Sequence, residues 1–315
     1  MSMLTIGMDI GGTNIKIGLV HDGKVIGKCT IDAMSQQGLQ PQLKPIEVAI
    51  MKLISEHNIT VSQLSGIGMS IPGIVDCDAK KVMVINDKFN DVIGMDMTHW
   101  AKSVFNLPLT MDNDARCALI GEWQYGAGKG CDNLVAVTLG TGLGTAAVVD
   151  GRVIRGSHHI AGILGGHFII DRNGLSCNCG NRGCAEAQSS TWNLKEILKY
   201  VGADKAEWVN SGVDFRVIFE KAGAGDAMAV KVRNHCMDVW AETIVNLIYA
   251  YDPERIVMSG GIMQSADIIL PYIKEKISHY GWAPFDKIDI VCSSVFTDTA
   301  ILSAEYLVKM HQLLN

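Results

Sequence analysis

Little of this chain is charged. Asp, Glu, Lys and Arg make up 19% of its 315 residues, and the net charge is −6. No cluster of Lys and Arg occurs, so nucleic acid is not an expected partner, because a phosphate backbone is bound by concentrated positive charge. No apolar run approaches the roughly 18 residues that a bilayer span requires, so no membrane partner is expected. Residues 1–10 lack a charged segment followed by an apolar core, so no secretory leader is expected. Nine cysteines are scattered except for one cluster. That usage reads as reduced thiols in the cytoplasm. Cys29, Cys77, Cys117, Cys131, Cys236 and Cys292, outside the cluster, read as buried small hydrophobes. Low-complexity segments are also missing. What is abundant is apolar side chain, 48% of the chain, enough for a large core over a length that suggests two domains.

One pattern occurs twice. Leu4 to Val25 reads LTIGMDIGGTNIKIGLVHDGKV, and Leu134 to Val153 reads LVAVTLGTGLGTAAVVDGRV. Each copy is an apolar strand, a turn of small residues, a second apolar strand, then Asp-Gly and a basic residue. Asp9 aligns with Thr138 and Gly11 with Gly140, both at an offset of 129; Asp22-Gly23 aligns with Asp150-Gly151 at 128. A single glycine loop says little, but a duplicated one predicts two related halves facing each other across a cleft. Such loops present unobstructed backbone N–H groups, and two of them suit the phosphates of a nucleoside triphosphate.

The periodicity elsewhere alternates. Strands are expected at 3–9, 15–20, 24–31 and 66–71, and a helix at 43–57. A helix at 96–105, a strand at 107–111 and a helix at 113–125 with Asp112 as its cap come next. After the second hairpin an irregular stretch rich in Gly and Cys covers 156–190. Helices then run to residue 251, a strand covers 255–258, and helix 264–280, strand 287–292 and helix 298–313 close the chain. This predicts an α/β architecture with antiparallel hairpins opening each half. The first domain is expected at 1–115 with the helix at 298–315 packed back onto it, and the second at 116–297. No linker separates them, which places the hinge in helix ends.

Four segments carry chemistry. Asp9 ends the first strand before Gly11, Gly12 and Thr13. A carboxylate beside a phosphate cradle needs a cation, and Mg²⁺ held largely through water fits. Thr13 suits a phosphate oxygen and Lys16 offsets charge; Thr138, Gly140, Thr141 and Gly142 form the partner loop. Asp112-Asn113-Asp114 lies between strand and helix. Asp114 is a candidate general base, Asn113 a candidate to orient hydroxyls, and either also suits a helix cap. Cys177, Cys179 and Cys184 place three thiols within eight residues. Closed tetrahedral Zn²⁺ needs a fourth ligand, for which His167 is the first candidate and His158 and His159 are competitors. Such an ion would be structural and would pin the loop carrying Glu186. Ser259-Gly260-Gly261 follows a buried strand, where adenine and ribose could lie against backbone; a plain strand–helix turn is the alternative.

These residues together resemble the ROK family of sugar kinases. The resemblance rests on Asp-x-Gly-Gly-Thr-x-x-Lys (Asp9 to Lys16), Asn-Asp-Ala (Asn113 to Ala115), Gly-Thr-Gly-x-Gly (Gly140 to Gly144) and Cys-x-Cys-Gly-x-x-Gly-Cys-x-Glu (Cys177 to Glu186). It runs from about residue 4 to the C-terminus, and its Cys motif is the specific part. The resemblance implies a two-domain ribonuclease-H-like fold of the actin/hexokinase superfamily with the active site in an interdomain cleft. It implies ATP with Mg²⁺, structural Zn²⁺, and phosphoryl transfer to a hexose hydroxyl, commonly at C6, in a homodimer or tetramer. It makes Asp114 the base and gives Asn90, Asn113, His167 and Glu186 sugar contacts, with His167 also on zinc. Asn90 is the looser match, because Phe89 precedes it where the family has Pro.

One departure bears on substrate. Where the family reads Ala-Gly-Glu-x-Gly-His, this chain reads Ala161-Gly162-Ile163-Leu164-Gly165-Gly166-His167. Ile163 replaces a Glu that binds sugar hydroxyls or an N-acetyl group, and an apolar side chain accepts no hydrogen bond. A deoxy, epimeric or otherwise modified sugar is therefore expected. A catalytically weak sugar-binding or regulatory protein is the alternative. A sugar-sensing repressor is disfavoured because only eight residues precede Asp9, and an actin-like or chaperone ATPase because of the Cys cluster.

Overall fold

The computed structural model describes residues 3–86, 88–203, 208, 212–280, 282, 285–295 and 298–314. Two compact units emerge: Met1–Gly130, Arg155–Ala161 and Val295–Asn315 form one, and Cys131–Ile154 with Gly162–Ser294 the other. The expected division after residue 115 is therefore displaced to 130/131, because helix 114–125 packs on the C-terminal helix. A short excursion, Arg155–Ala161, also belongs to the first unit. The expected boundary at residue 297 lies outside the described residues.

The duplication in sequence is a duplication of sheets. In the first unit, β1 (Leu4–Ile10), β2 (Asn14–His21) and β3 (Lys24–Asp32) form an antiparallel meander. Then β4 (Gly66–Ile71) adds parallel to β1 and β7 (Leu109–Asn113) parallel to β4, giving the order β3-β2-β1-β4-β7. A separate hairpin, β5 (Ile74–Asp76) with β6 (Lys81–Val84), was not visible in the sequence pattern. In the second unit β8 (Leu134–Leu139), β9 (Leu143–Val149), β10 (Arg152–Val153), β11 (Arg255–Ser259) and β12 (Asp289–Cys292) take the order β10-β9-β8-β11-β12 with the same strand directions. The equivalence reaches single side chains. Asp9 lies opposite Ser70, whose Oγ donates to its Oδ1 at 3.0 Å; Thr138 lies opposite Ser259, with the two hydroxyls 3.1 Å apart.

Among the described residues the helices are α1 (Leu43–Glu56), α2 (Met97–Phe105), α3 (Asp114–Tyr125), α4 (Ala185–Ser189), α5 (Leu194–Tyr200), α6 (Phe215–Gly223), α7 (Ala227–Tyr251), α8 (Ala266–Ser278) and α9 (Thr299–Leu314). The longer ones follow from their apolar spacing, whereas α4 lies in the stretch expected to be irregular. In α1, Ile46, Ile50, Leu53 and Ile54 fall on one face and are buried in the core of the first unit with Ile6, Met8, Ile17, Ile67 and Met69. In α7, Asp226 caps the N-terminus by accepting from the N–H groups of Met228 and Ala229. The helix then buries Val232, Cys236, Trp240, Ile244 and Ile248 in the core of the second unit. The last helix, α9, belongs to the first unit. It lies so close to the sheet that a Cβ on Gly68 would overlap the Cα of Ala304. No helix among the described residues is long and apolar enough to cross a membrane.

Candidate active site

The first glycine loop is a tight turn between β1 and β2, closed by the Gly11 N–H donating to the Asn14 carbonyl at 3.0 Å. Gly12 and Thr13 form its tip, and the Ser35 hydroxyl donates to the Gly12 carbonyl at 2.6 Å. Asp9 stands opposite Lys16 across the hairpin. The Lys16 Nζ is 3.7 Å from Asp9 Oδ2, while Oδ1 accepts from Ser70. One carboxylate oxygen is thus fixed and the other faces a loose, half-exposed cation, a setting that suits a water-shelled Mg²⁺. Sequence reasoning missed Lys88, whose side chain lies directly over Gly12, where a Cβ would strike its ammonium group. It has no motif around it; only the packing reveals it.

At the end of β7 the structure corrects the expected cap. Asn113, not Asp112, caps α3: its side-chain oxygen accepts from the N–H groups of Ala115 (2.9 Å) and Arg116 (3.2 Å). Asp112 instead stays in the strand and is fully buried. Its Oδ1 accepts from Arg116 Nη1 at 3.1 Å, and its Oδ2 from Arg155 Nε at 3.1 Å and Nη2 at 2.8 Å. A buried carboxylate between two guanidiniums is neutralised in place, so Asp112 holds structure and leaves the helix terminus to its neighbours.

Asp114 is the first residue of α3. Its Oδ1 accepts from the Ala115 N–H and from Asn113 Nδ2, both at 2.9 Å, and Asn113 Nδ2 also donates to the Gly73 carbonyl at 2.8 Å. The side chain is reachable from solvent yet enclosed by protein atoms on most sides. The resulting loss of hydration, reinforced by the charge of Asp9, raises its pKa from 3.8 to about 6, against the opposing pull of the Ala115 and Asn113 donors. A carboxylate with that pKa is ionised at neutral pH and is a stronger proton acceptor than an ordinary Asp.

Asn90 opens a short 3-10 turn after buried Phe89, which has a left-handed φ of 52°, and is exposed. Among the described residues no hydrogen bond links it to Asn113 or Asp114. The geometry brings Asp9, Asn113 and Asp114 into one neighbourhood.

In the second unit Gly140, Thr141 and Gly142 turn between β8 and β9, and the turn is held from outside. The N–H groups of Thr191 and Trp192 donate to the carbonyls of Gly140 and Thr141, each at 3.1 Å. The Leu143 N–H donates to Glu186 Oε2 at 2.9 Å, and Trp192 Nε1 donates to Glu186 Oε1 at 3.1 Å. Glu186, expected as a sugar contact, thus also braces the loop. Gly260 and Gly261 follow β11, with Gly260 at φ 94°. Ile163 is buried and Leu164 exposed. Thr145 ties this turn down, its hydroxyl donating to the Gly162 carbonyl at 2.6 Å and accepting from the Gly165 N–H at 2.9 Å.

His167, Cys177, Cys179 and Cys184 each aim a ligand atom at one point, all within 4.8 Å of one another. Cys177 Sγ is 3.6 Å from His167 Nδ1, and Cys179 Sγ is 3.6 Å from Cys184 Sγ. Tetrahedral Zn²⁺ with ordinary Zn–S and Zn–N bonds sets edges of about 3.6–3.8 Å, so the donor set and spacing fit. Of the competitors, His159 lies in the first unit and pairs with Asp76 and Cys77, and His158 is exposed. Gly183 makes the wrap possible: it has φ 76°, and any Cβ would overlap the Asp171 carbonyl. Cys184 then leads directly into α4, which carries Glu186.

Comparison with known proteins identifies the family. Residues 5–311 match the ROK family model. A glucokinase of Thermotoga maritima is 30% identical over 313 residues, covering 96% of each chain. The ROK hexokinase of Thermus thermophilus, 23% identical, superposes over 99% of this chain and 100% of its own with a TM-score of 0.82. A ROK family transcriptional regulator, a homolog of the E. coli MLC protein, superposes over 98% of this chain and 78% of its own at 24% identity with a TM-score of 0.83. With a family match over nearly its whole length and a curated relative at this level of identity, the chain belongs to the ROK family.

Proposed function

We propose that this chain, a ROK-family sugar kinase that uses ATP, transfers the terminal phosphoryl group to a hydroxyl of a hexose or hexose derivative, at C6 in the first instance, with Asp114 as general base. The observation that carries the reading is the state of Asp114: held at the N-terminus of α3 by Asn113 and Ala115, open to an incoming hydroxyl, and raised in pKa to about 6. Asp114 takes the hydroxyl proton as the oxygen attacks, and Asn113 orients the acceptor. The nucleotide-binding residues we assign are Asp9, Gly11, Gly12, Thr13 and Lys16 in the first unit and Thr138, Gly140, Thr141, Gly142, Gly260 and Gly261 in the second. Lys88 joins them through its contact with Gly12. Mg²⁺ on Asp9 would neutralise phosphate charge. Asn90, His167 and Glu186 are assigned to sugar.

Ile163 narrows the acceptor. Its buried side chain offers no hydrogen-bond acceptor, so a sugar whose hydroxyl or N-acetyl group needs one gains nothing there. Coupled ADP release with Mg-ATP across hexoses, deoxyhexoses, amino sugars and N-acetyl sugars tests the reading. One class of sugar is expected to give turnover, with glucose and N-acetylmannosamine poor. Binding of a sugar without turnover by any would favour a regulatory protein and sink the kinase assignment.

Zn²⁺ on His167, Cys177, Cys179 and Cys184 would have no open position and so serves structure: it fastens the start of α4, and through Glu186 the glycine loop. Cys179→Ser is expected to lower zinc content by one equivalent and, by loosening Glu186, to cut turnover by at least about tenfold. Metal analysis and steady-state kinetics on the same sample check this; unchanged zinc content would refute the ligand assignment.

A further inference from the structure

The hairpin that the sequence did not reveal carries a second group of ligands. At the β5–β6 turn, Cys77, Asp78 and His159 place one ligand atom each within 4.8 Å of the others. Cys77 Sγ lies 3.9 Å from His159 Nδ1 and 4.0 Å from Asp78 Oδ1. Cys77 was expected to be a buried small hydrophobe and His159 a competitor for the other cysteines. The structure makes them half-buried neighbours in the first unit.

Two features mark this group as built. The far side of the imidazole is supported, because His159 Nε2 is 3.3 Å from Asp76 Oδ1. The same Asp76 oxygen accepts from the N–H groups of Asp78 (3.0 Å) and Ala79 (2.8 Å), so one carboxylate orients the His and folds the turn that carries Asp78. Metal-ligating histidines have this kind of carboxylate behind them. Meanwhile His159 sits at φ 57°, a left-handed conformation that costs energy outside glycine. It is held there by buried Arg116, whose Nη2 donates to the His159 carbonyl at 2.7 Å and to the Ala161 carbonyl at 3.1 Å. The nearby positive charge of Arg116 and Arg155 is taken up by Asp112.

We propose that Cys77, Asp78 and His159 bind a second divalent transition-metal ion of the zinc class, with Asp76 as the outer support of His159. One thiolate, one imidazole and one carboxylate suit Zn²⁺ or Co²⁺ and not Mg²⁺ or Ca²⁺, which prefer oxygen alone. Tetrahedral edges for this set are about 3.5 Å, so closing by roughly half an ångström on a turn and a side-chain rotamer completes three positions and leaves a fourth for water. The ion would clamp segment 155–161 to the β5–β6 hairpin.

Chelator-stripped protein titrated with Zn²⁺ against a chromogenic competitor tests the proposal. Wild type is expected to take up two equivalents and Cys77→Ser one, with sugar-dependent ADP release by Cys77→Ser unchanged. Asp76→Asn should weaken the second equivalent about 10- to 100-fold without removing it. Co²⁺ added to Cys177→Ser/Cys179→Ser should still give a thiolate-to-cobalt band, which is lost when Cys77→Ser is added. The same zinc stoichiometry in wild type and Cys77→Ser overturns the proposal. Its failure would leave the His167 site untouched, because that site is read separately, from the zinc content of Cys179→Ser.

Discussion

Asp114→Asn is expected to lower kcat by about 10²–10⁴-fold, the usual contribution of a positioned base. The substitution preserves size and the hydrogen bonds from Ala115 and Asn113, so the start of α3 should stay intact. KM for the sugar should change little, since what is lost is acceptance of the proton in the transition state. The pH dependence of the unsubstituted protein follows from the raised pKa. Asp114 acts only when ionised. Above about pH 6 the free protein carries the charged base, and below it protonation removes activity, so kcat/KM should fall about tenfold per pH unit on the acid side. The largest cause of the shift is loss of hydration, with the charge of Asp9 second. A pH–rate profile with its acid limb near an ordinary Asp value of about 4 would show that the side chain is hydrated in solution. Activity of Asp114→Asn close to wild type would remove Asp114 from the role of base.

Asp112→Ala is expected to destabilise the first unit by about 3–5 kcal/mol, because it strands Arg116 in the core without its counter-charge. Asp112 and Arg116 are both fully buried, and Arg155 is held by the same carboxylate. Against total stabilities of about 5–15 kcal/mol, this loss should appear as a sharply reduced urea midpoint and soluble yield. The double variant Asp112→Ala/Arg116→Met should recover part of the loss, since it removes the uncompensated charge as well as its partner. An unfolding free energy for Asp112→Ala within about 0.5 kcal/mol of wild type would mean that water reaches Arg116 readily. The consequences should extend to segment 155–161, because Arg155 is tied to Asp112 and Arg116 holds the His159 and Ala161 carbonyls.

Much of the fold was legible because it is written in local pattern. The strands of the first hairpin, α1 and β4 follow apolar spacing to within a residue or two. The errors came where tertiary contacts outweigh local preference. Asp112 and Asn113 are both good caps in isolation, and what assigns Asn113 the role is the buried pair of arginines that claims Asp112. Hairpin β5–β6 escaped because its strands are three and four residues long, too short for periodicity to register.

By itself the sequence determined the duplicated glycine loops, the α/β class, the cysteine cluster and the family, since each is carried by residues close together in the chain. Which histidine joins Cys177, Cys179 and Cys184 was open among His158, His159 and His167, and only the folded chain chose His167. Lys88 over Gly12, Glu186 against Leu143 and His159 beside Cys77 were likewise decided in three dimensions. These contacts join residues tens of positions apart, and no local spacing encodes them; they exist because strand order and core packing bring distant turns together.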